Sequence, residues 1–266
     1  MLTNLKQRAL ISDRKEKKQE GIVYSNYEMS LREYILYGLQ GLGIEMLFAY
    51  FFYHSYVAII FLAPYILYFL KEKKKELCNA RKRELCMQFR EMILSLSACL
   101  YAGYSIENAF REVYKDMMLL YGTDALICNE IQYILSSLDN NVVLEKLLLE
   151  LGERSGVSDI QDFGEIFAIG KRSSGDLKEM IHSSASVIGE KIEIKRDIIT
   201  IMSAKVFEQK IMRVVPFGII LYISITSKGF FAPLYHNVAG IMIMTGCLFV
   251  YLLSHFLSVR ITEIQL

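Results

Sequence analysis

The sequence predicts an all-α chain: a polytopic membrane protein with a cytoplasmic antiparallel six-helix bundle between two transmembrane hairpins. Three observations predict it. Hydrophobic residues make up 53% of the 266 and charged residues 22%, and the two are segregated, with apolar runs near both ends and charges between them. Within the charged middle, apolar residues return every three or four positions, which is helical spacing. The breaks between these segments are short, which makes successive helices antiparallel neighbours, and no run of alternating β-branched residues competes.

Residues 1–33 read as a cytoplasmic N-terminal segment of mixed charge, MLTNLKQRALISDRKEKKQEG onward, with a short amphipathic stretch around Leu5 to Ile11. It lacks the apolar core of a secretory signal, so no cleavage is expected. Residues 34–70 form the first expected hairpin. Tyr34 to Tyr53 is long enough to span a bilayer and carries one ionisable residue, Glu45. Tyr56 to Leu70 follows, shorter than the roughly 20 residues of an ordinary span. Tyrosines gather at both ends of this pair, as in an interfacial belt. Lys71, Lys73, Lys74, Lys75, Arg81, Lys82 and Arg83 lie just after it, and Arg14, Lys15, Lys17, Lys18 and Arg32 before it. The connection between the two runs has no cation, so the positive-inside rule puts both flanks in the cytoplasm.

Residues 71–210 read as the cytoplasmic bundle. LCMQFREMILSLSACLYAG is a helix stopped by Gly103, and Ser105 caps SIENAFREVYKDMMLLYG, which Gly122 ends. The next helix starts at an Asp124 cap and turns at Asn140-Asn141, since asparagine tolerates the left-handed conformation. VVLEKLLLELGERSG and SDIQDFGEIFAIGKRSSG follow, the latter capped by Ser158. The last is a rod from Asp176, the N-cap behind Gly175, with Leu177, Ile181, Ile188, Ile192, Ile199, Met202 and Val206 on one face. It runs without a break signal into VVPFGIILYISIT, so one rod links a charged module to an apolar segment. Residues 211–257 form the second hairpin, its last run being Val238 to Leu257, and residues 258–266 a cytoplasmic tail. Lys228 is the only lysine or arginine in the loop of that hairpin, which is expected to face outward.

The ionisable residues match few of the patterns that carry chemistry. Cys78, Cys86, Cys99, Cys128 and Cys247 form no CxxC pair, so neither a zinc set nor a disulfide framework is indicated. His54, His182, His236 and His255 accompany no HExxH or nearby acid. GEIFAIGKRSS, Gly164 to Ser174, fails as a phosphate loop: five residues separate its glycines and Arg172 stands where a hydroxyl is required. Its glycines are expected to serve close helix packing. Glu107, Glu112, Glu130, Glu145, Glu150 and Asp159 read as solvated faces. No catalytic residue, metal or cofactor is expected, and no basic aromatic patch suggests nucleic acid. Glu45 is the exception, since a carboxylate within an apolar span is expensive and a functional candidate.

Two places carry a family resemblance. MILSLSACLYAGYSIENAFREV contains AGYSIENAF, similar to an "AG-x-S-hydrophobic-x-x-A-hydrophobic" turn around Gly103 and Ser105. IFAIGKRSSGDLKEMI is similar to a helix, a Gly-hydrophilic-Leu turn at Gly175, Asp176 and Leu177, and a final helix. Together they resemble the type II secretion system F domain, found in inner-membrane platform proteins of secretion and pilus machines. The resemblance runs from about Leu85 to the C-terminus. A single copy flanked by two pairs of apolar runs is similar to the TadB-type branch of the Flp (Tad) pilus, with the TadC type second. Asn140-Asn141 departs from the glycine common at that turn, and the N-terminal region is short. The resemblance implies a non-enzymatic scaffold in the bacterial inner membrane, multi-pass, with both termini cytoplasmic. Its implied partners are a hexameric secretion ATPase, a second, TadC-like platform protein, pilin subunits, the lipid bilayer and further copies of itself. A transporter or channel subunit using Glu45 is the alternative reading.

Overall fold

Gly103 and Asn141 show how literally the turns follow from residue type. The computed structural model describes residues 23–24, 27, 29–53, 57–172, 177–227, 230 and 237–262. Within these it holds eight helices and no strand: α1 Leu31–Tyr53, α2 Val57–Tyr101, α3 Ile106–Tyr121, α4 Leu126–Asp139, α5 Leu144–Ser155, α6 Ser158–Arg172, α7 Leu177–Thr226 and α8 Val238–Thr262. At the end of α2, the amide of Tyr104 donates to the carbonyl of Cys99 and that of Gly103 to Leu100, both at 3.1 Å, with φ +91° at Gly103. This is a Schellman closure, which needs a left-handed residue. The end of α4 repeats it with Val142 to Ser137 at 3.0 Å and Asn141 to Leu138 at 2.9 Å, Asn141 taking φ +62° in place of glycine. Gly175 and Asp176 lie outside the described residues, as does the side chain of Leu177.

Helix starts depart more from expectation. Ser105 occupies the N-cap of α3, yet its hydroxyl makes no capping bond. The N-cap of α4 is Ala125 rather than Asp124. The orphan amide there is met from another helix: Gln88 of α2, itself buried, accepts from the amide of Ile127 at 3.0 Å. At α1, Ser30 and Glu33 form half a capping box, the Glu33 carboxylate accepting from the Ser30 amide at 2.8 Å.

The second apolar run and the bundle share a helix. α2 is one helix of 45 residues through the lysine block, about 68 Å long at 1.5 Å per residue. α7 has 50 residues, about 75 Å, with Pro216 inside it. The chain divides into two compact units, and two of the three division points, Lys74–Lys75 and Glu193–Ile194, fall within these helices. One unit comprises Lys75–Glu193 with the N-terminal stretch that carries Tyr24, and the other Met29–Lys74 with Ile194–Leu266.

The first unit is organised around one apolar core. Its residues come from the later part of α2 (Leu85, Phe89, Met92, Ile93, Leu96), from α3 (Phe110, Val113, Met117) and from α4 (Ile127, Ile131, Ile134). Leu144, Leu147, Leu148 and Leu151 of α5, Ile160, Phe163 and Phe167 of α6, and Ile181, Ala185 and Ile188 of α7 complete it. These positions recur every three or four residues, so each helix turns one stripe inward. The stripe of α7 is buried through Ile188 and half-covered at Ile192, while Ile199, expected on the same face, is exposed.

The tightest approach is between α5 and α6. A Cβ added at Gly152 would lie 2.8 Å from the Cα of Gln161, and one at Gly164 would lie 3.0 Å from the carbonyl oxygen of Leu148. Both obstacles are backbone. Gly152→Val is therefore expected to destabilise the full-length chain by about 2–3 kcal/mol, through overpacking that no side chain can relieve. Urea unfolding in a mild detergent measures it, and an unchanged midpoint would contradict the packing described.

In the second unit, Phe48 of α1 is the hub. Its ring lies 5.3 Å from Phe217, 5.6 Å from Tyr251 and 6.2 Å from Tyr65, and Met244 and Leu248 close the cluster. Large apolar side chains elsewhere in this unit face outward, among them Leu31, Ile35, Leu39, Tyr222, Ile225 and Met242. Among the described residues, no helix is long and apolar enough to cross a membrane.

Candidate functional site

Polar groups inside the first unit gather at two carboxylates. The first is Glu130 of α4, 1% exposed. It lies among Ile127, Ile131 and Ile134, so the helix carries it inward with its apolar stripe. Both of its oxygens are engaged. Arg154 of α5 donates from Nη2 to Oε2 at 2.8 Å and from Nη1 to Oε1 at 3.3 Å, and the hydroxyl of Tyr24 donates to Oε1 at 2.8 Å. The guanidinium lies over the ring of Tyr133, 5.1 Å from its centroid, and Tyr133 donates to Glu150 at 3.1 Å. Arg154 Nε stands 3.3 Å from Glu150 Oε1, an ion-pair distance without hydrogen-bond alignment.

Tyr24 is held on every side. Its amide donates to the carbonyl of Arg154 at 2.9 Å, its own carbonyl accepts from Cys78 Sγ at 3.3 Å, and Arg81 lies 4.9 Å from its ring centroid. Burial, and then the Glu130 carboxylate, drive the Tyr24 phenol far above the usual tyrosine range. A raised folded-state pKa means that the folded protein holds a proton the unfolded chain releases. The stability is therefore full below pH 10 and is lost as pH rises beyond it, by about 1.4 kcal/mol per pH unit for one group. Lys191, raised chiefly by its hydrogen bond to Asp159, acts in the same direction. Tyr24→Phe is expected to cost about 1–2 kcal/mol at pH 7 and to flatten the alkaline fall in stability. Unfolding followed from pH 7 to 11 checks this, and a wild-type slope in the variant would refute it.

The second carboxylate is Asp159, in the first turn of α6 and 3% exposed. Lys191 of α7 meets its Oδ1 at 2.8 Å and reaches Asp162 at 3.6 Å, while Cys86 Sγ lies 3.9 Å from Oδ2. Glu130 and Asp159 thus correct the expectation of solvated faces. Each has a cationic partner on a different helix, far along the chain. Helical phase alone marked both, since Glu130 follows Ile127 by three and Asp159 precedes Phe163 by four.

No family profile, curated protein or solved structure matches this chain. The site is therefore read from its own chemistry. Glu130 has both oxygens bonded to donors, leaving it no free role in proton transfer. Ser97 lies 3.3 Å from His182 Nδ1, but at 2% exposure it is closed to a substrate. Among the described residues, no group of His, Cys, Asp and Glu is arranged to hold a metal ion. The segment Gly164 to Arg172 is helix throughout, and Lys171 pairs with Glu145 at 2.9 Å. None of Cys78, Cys86, Cys99, Cys128 and Cys247 is joined in a disulfide.

Glu45 stands apart, in α1 of the second unit. It is 1% exposed, one turn before Phe48, and among the described residues neither carboxylate oxygen has a hydrogen-bond partner. Gly103 and Ser105 sit at the α2–α3 turn and shape the backbone. Two charge networks lock helices of the first unit together, and a groove remains open between α6 and α7.

Proposed function

We propose that the chain is an inner-membrane platform protein of a type IV (Flp/Tad) pilus or type II secretion assembly machine. In this role it couples a cytoplasmic secretion ATPase to extraction and assembly of pilin subunits. The observation that carries the reading is the pair of long helices. α7 ends among outward-facing apolar residues, α2 carries exposed Leu67 and Tyr68 ahead of its lysine block, and both run unbroken into a bundle with charged faces. Such helices link two environments and suit transmission of force better than chemistry. The sequence from Val238 to Leu257 has no Asp, Glu, Lys or Arg in twenty residues, which supports membrane insertion of that run. The turn motifs at Gly103–Ser105 and Gly175–Leu177 support the secretion F-domain family and, within it, the single-copy TadB type. Pulling an apolar pilin helix from lipid requires work, so an ATPase partner supplies it and this chain is a scaffold rather than an enzyme. A second, TadC-like platform protein and further copies of the chain would complete the base.

Single-cysteine labelling in intact cells tests the topology. On a cysteine-free background, cysteines replacing Lys73 and Lys191 should resist a membrane-impermeant reagent until the cells are opened. Labelling of position 191 in intact cells would overturn the reading. One observation favours a second reading. The buried, unpartnered Glu45 is suited to a transporter or channel subunit, and Glu45→Gln then abolishes substrate flux while leaving appendage assembly intact.

A further inference from the structure

The groove between α6 and α7 joins an apolar floor to an acidic rim. It encloses about 470 Å³. Phe163 and Ile188 form its base, both nearly fully buried in the core. Ile166 and Val187 stand on its two walls and remain 41% and 48% exposed. Apolar side chains facing each other across an open groove are a favourable surface for another apolar group. The charged lining residues are Asp159, Asp162, Glu179 and Lys191, three carboxylates against one ammonium. That ammonium is already committed, at 2.8 Å to Asp159 and 3.6 Å to Asp162. Asp162 is 58% exposed, and Glu179 is exposed as well. The lining is therefore net negative, and the carboxylates of Asp162 and Glu179 are accessible.

We infer that this groove docks an amphipathic α-helix of a protein partner, one with lysines or arginines beside its apolar stripe. Two parallel ridges of side chains leave a furrow that a third helix fills with residues at i, i+3, i+4 and i+7. Apolar side chains of the incoming helix cover Ile166 and Val187, and its cations meet Asp162 and Glu179. The same rim repels phosphates, which disfavours nucleic acid and anionic lipid at this face. The inference rests on the groove itself and stands whether or not the chain is a secretion platform.

The test uses the full-length chain in a non-ionic detergent and two labelled synthetic peptides. Both carry leucines at i, i+3, i+4 and i+7; one has flanking lysines and the other flanking glutamates. Fluorescence anisotropy should show binding of the lysine peptide only. Val187→Asp, at an exposed position, should weaken it by roughly tenfold or more. The double reversal Asp162→Lys with Glu179→Lys should exchange the preference, so that the glutamate peptide binds. A gain of binding cannot come from misfolding. Equal binding of both peptides, full retention in Val187→Asp, or no exchange on charge reversal would overturn the inference. So would binding of phosphatidylglycerol vesicles or a DNA oligonucleotide that Val187→Asp removes.

Discussion

Arg154→Ala is expected to destabilise the chain by about 3–5 kcal/mol, the range for removing one partner of a buried ion pair. The size follows from what is left behind. Glu130 would remain 1% exposed with its carboxylate facing apolar neighbours and only the Tyr24 hydroxyl to solvate it. Tyr133 and Glu150 would lose their contacts with the same guanidinium. Glu130→Gln in the Arg154→Ala background should recover part of the loss, because the uncompensated charge is then gone. Arg111→Ala is the control: its pair with Asp139 is more than half exposed on both sides and should contribute less than about 1 kcal/mol. Thermal or urea unfolding of the full-length variants measures all three. A loss from Arg154→Ala no larger than that from Arg111→Ala would refute the buried network.

Ile192→Pro is the second large effect. Ile192 lies within α7, half-covered and packed against the core of the first unit. Proline removes the amide that bonds one turn back and places its ring against that carbonyl, at about 3 kcal/mol or more. Under the proposed role the consequence goes beyond stability, since a kinked helix no longer carries displacement along its length. Appendage assembly should then be lost in cells whose membranes hold wild-type amounts of the variant. Lys171→Ala, which breaks only the half-exposed pair with Glu145, should leave assembly largely intact. Normal assembly with Ile192→Pro would remove the force-coupling role.

The helices of the bundle were legible because each repeats an apolar stripe and α2 to α5 end on a residue suited to left-handed backbone, Gly103 and Asn141 being the clearest. The continuity of α2 was harder to read. The lysine block after Leu70 resembles a flank, yet lysine, glutamate and leucine are good helix formers, and no glycine or proline interrupts residues 65–102. The charge networks were less legible still. Glu130 and Arg154 are separated by 24 positions and Asp159 and Lys191 by 32, so pairing depends on how helices pack rather than on local pattern. Tyr24 lies in a polar stretch with no periodicity, and nothing in its neighbours announces that it is buried. Likewise the cap of α4 comes from Gln88, a residue 39 positions earlier.

The places where the two units divide have a practical consequence for anyone cutting the gene. The divisions at Lys74–Lys75 and Glu193–Ile194 both fall inside hydrogen-bonded helix. A protease that needs an extended segment finds none there, so limited digestion should release no intact bundle by cleavage at these points. A shortened gene encoding residues 75–193 would expose raw ends, each with up to four backbone groups lacking partners. It would also discard Tyr24, and with it one of the groups bonded to Glu130. Expression of the bundle alone therefore calls for serine or aspartate ahead of position 75, glycine after 193, and the Tyr24 stretch retained or supplied as a separate peptide.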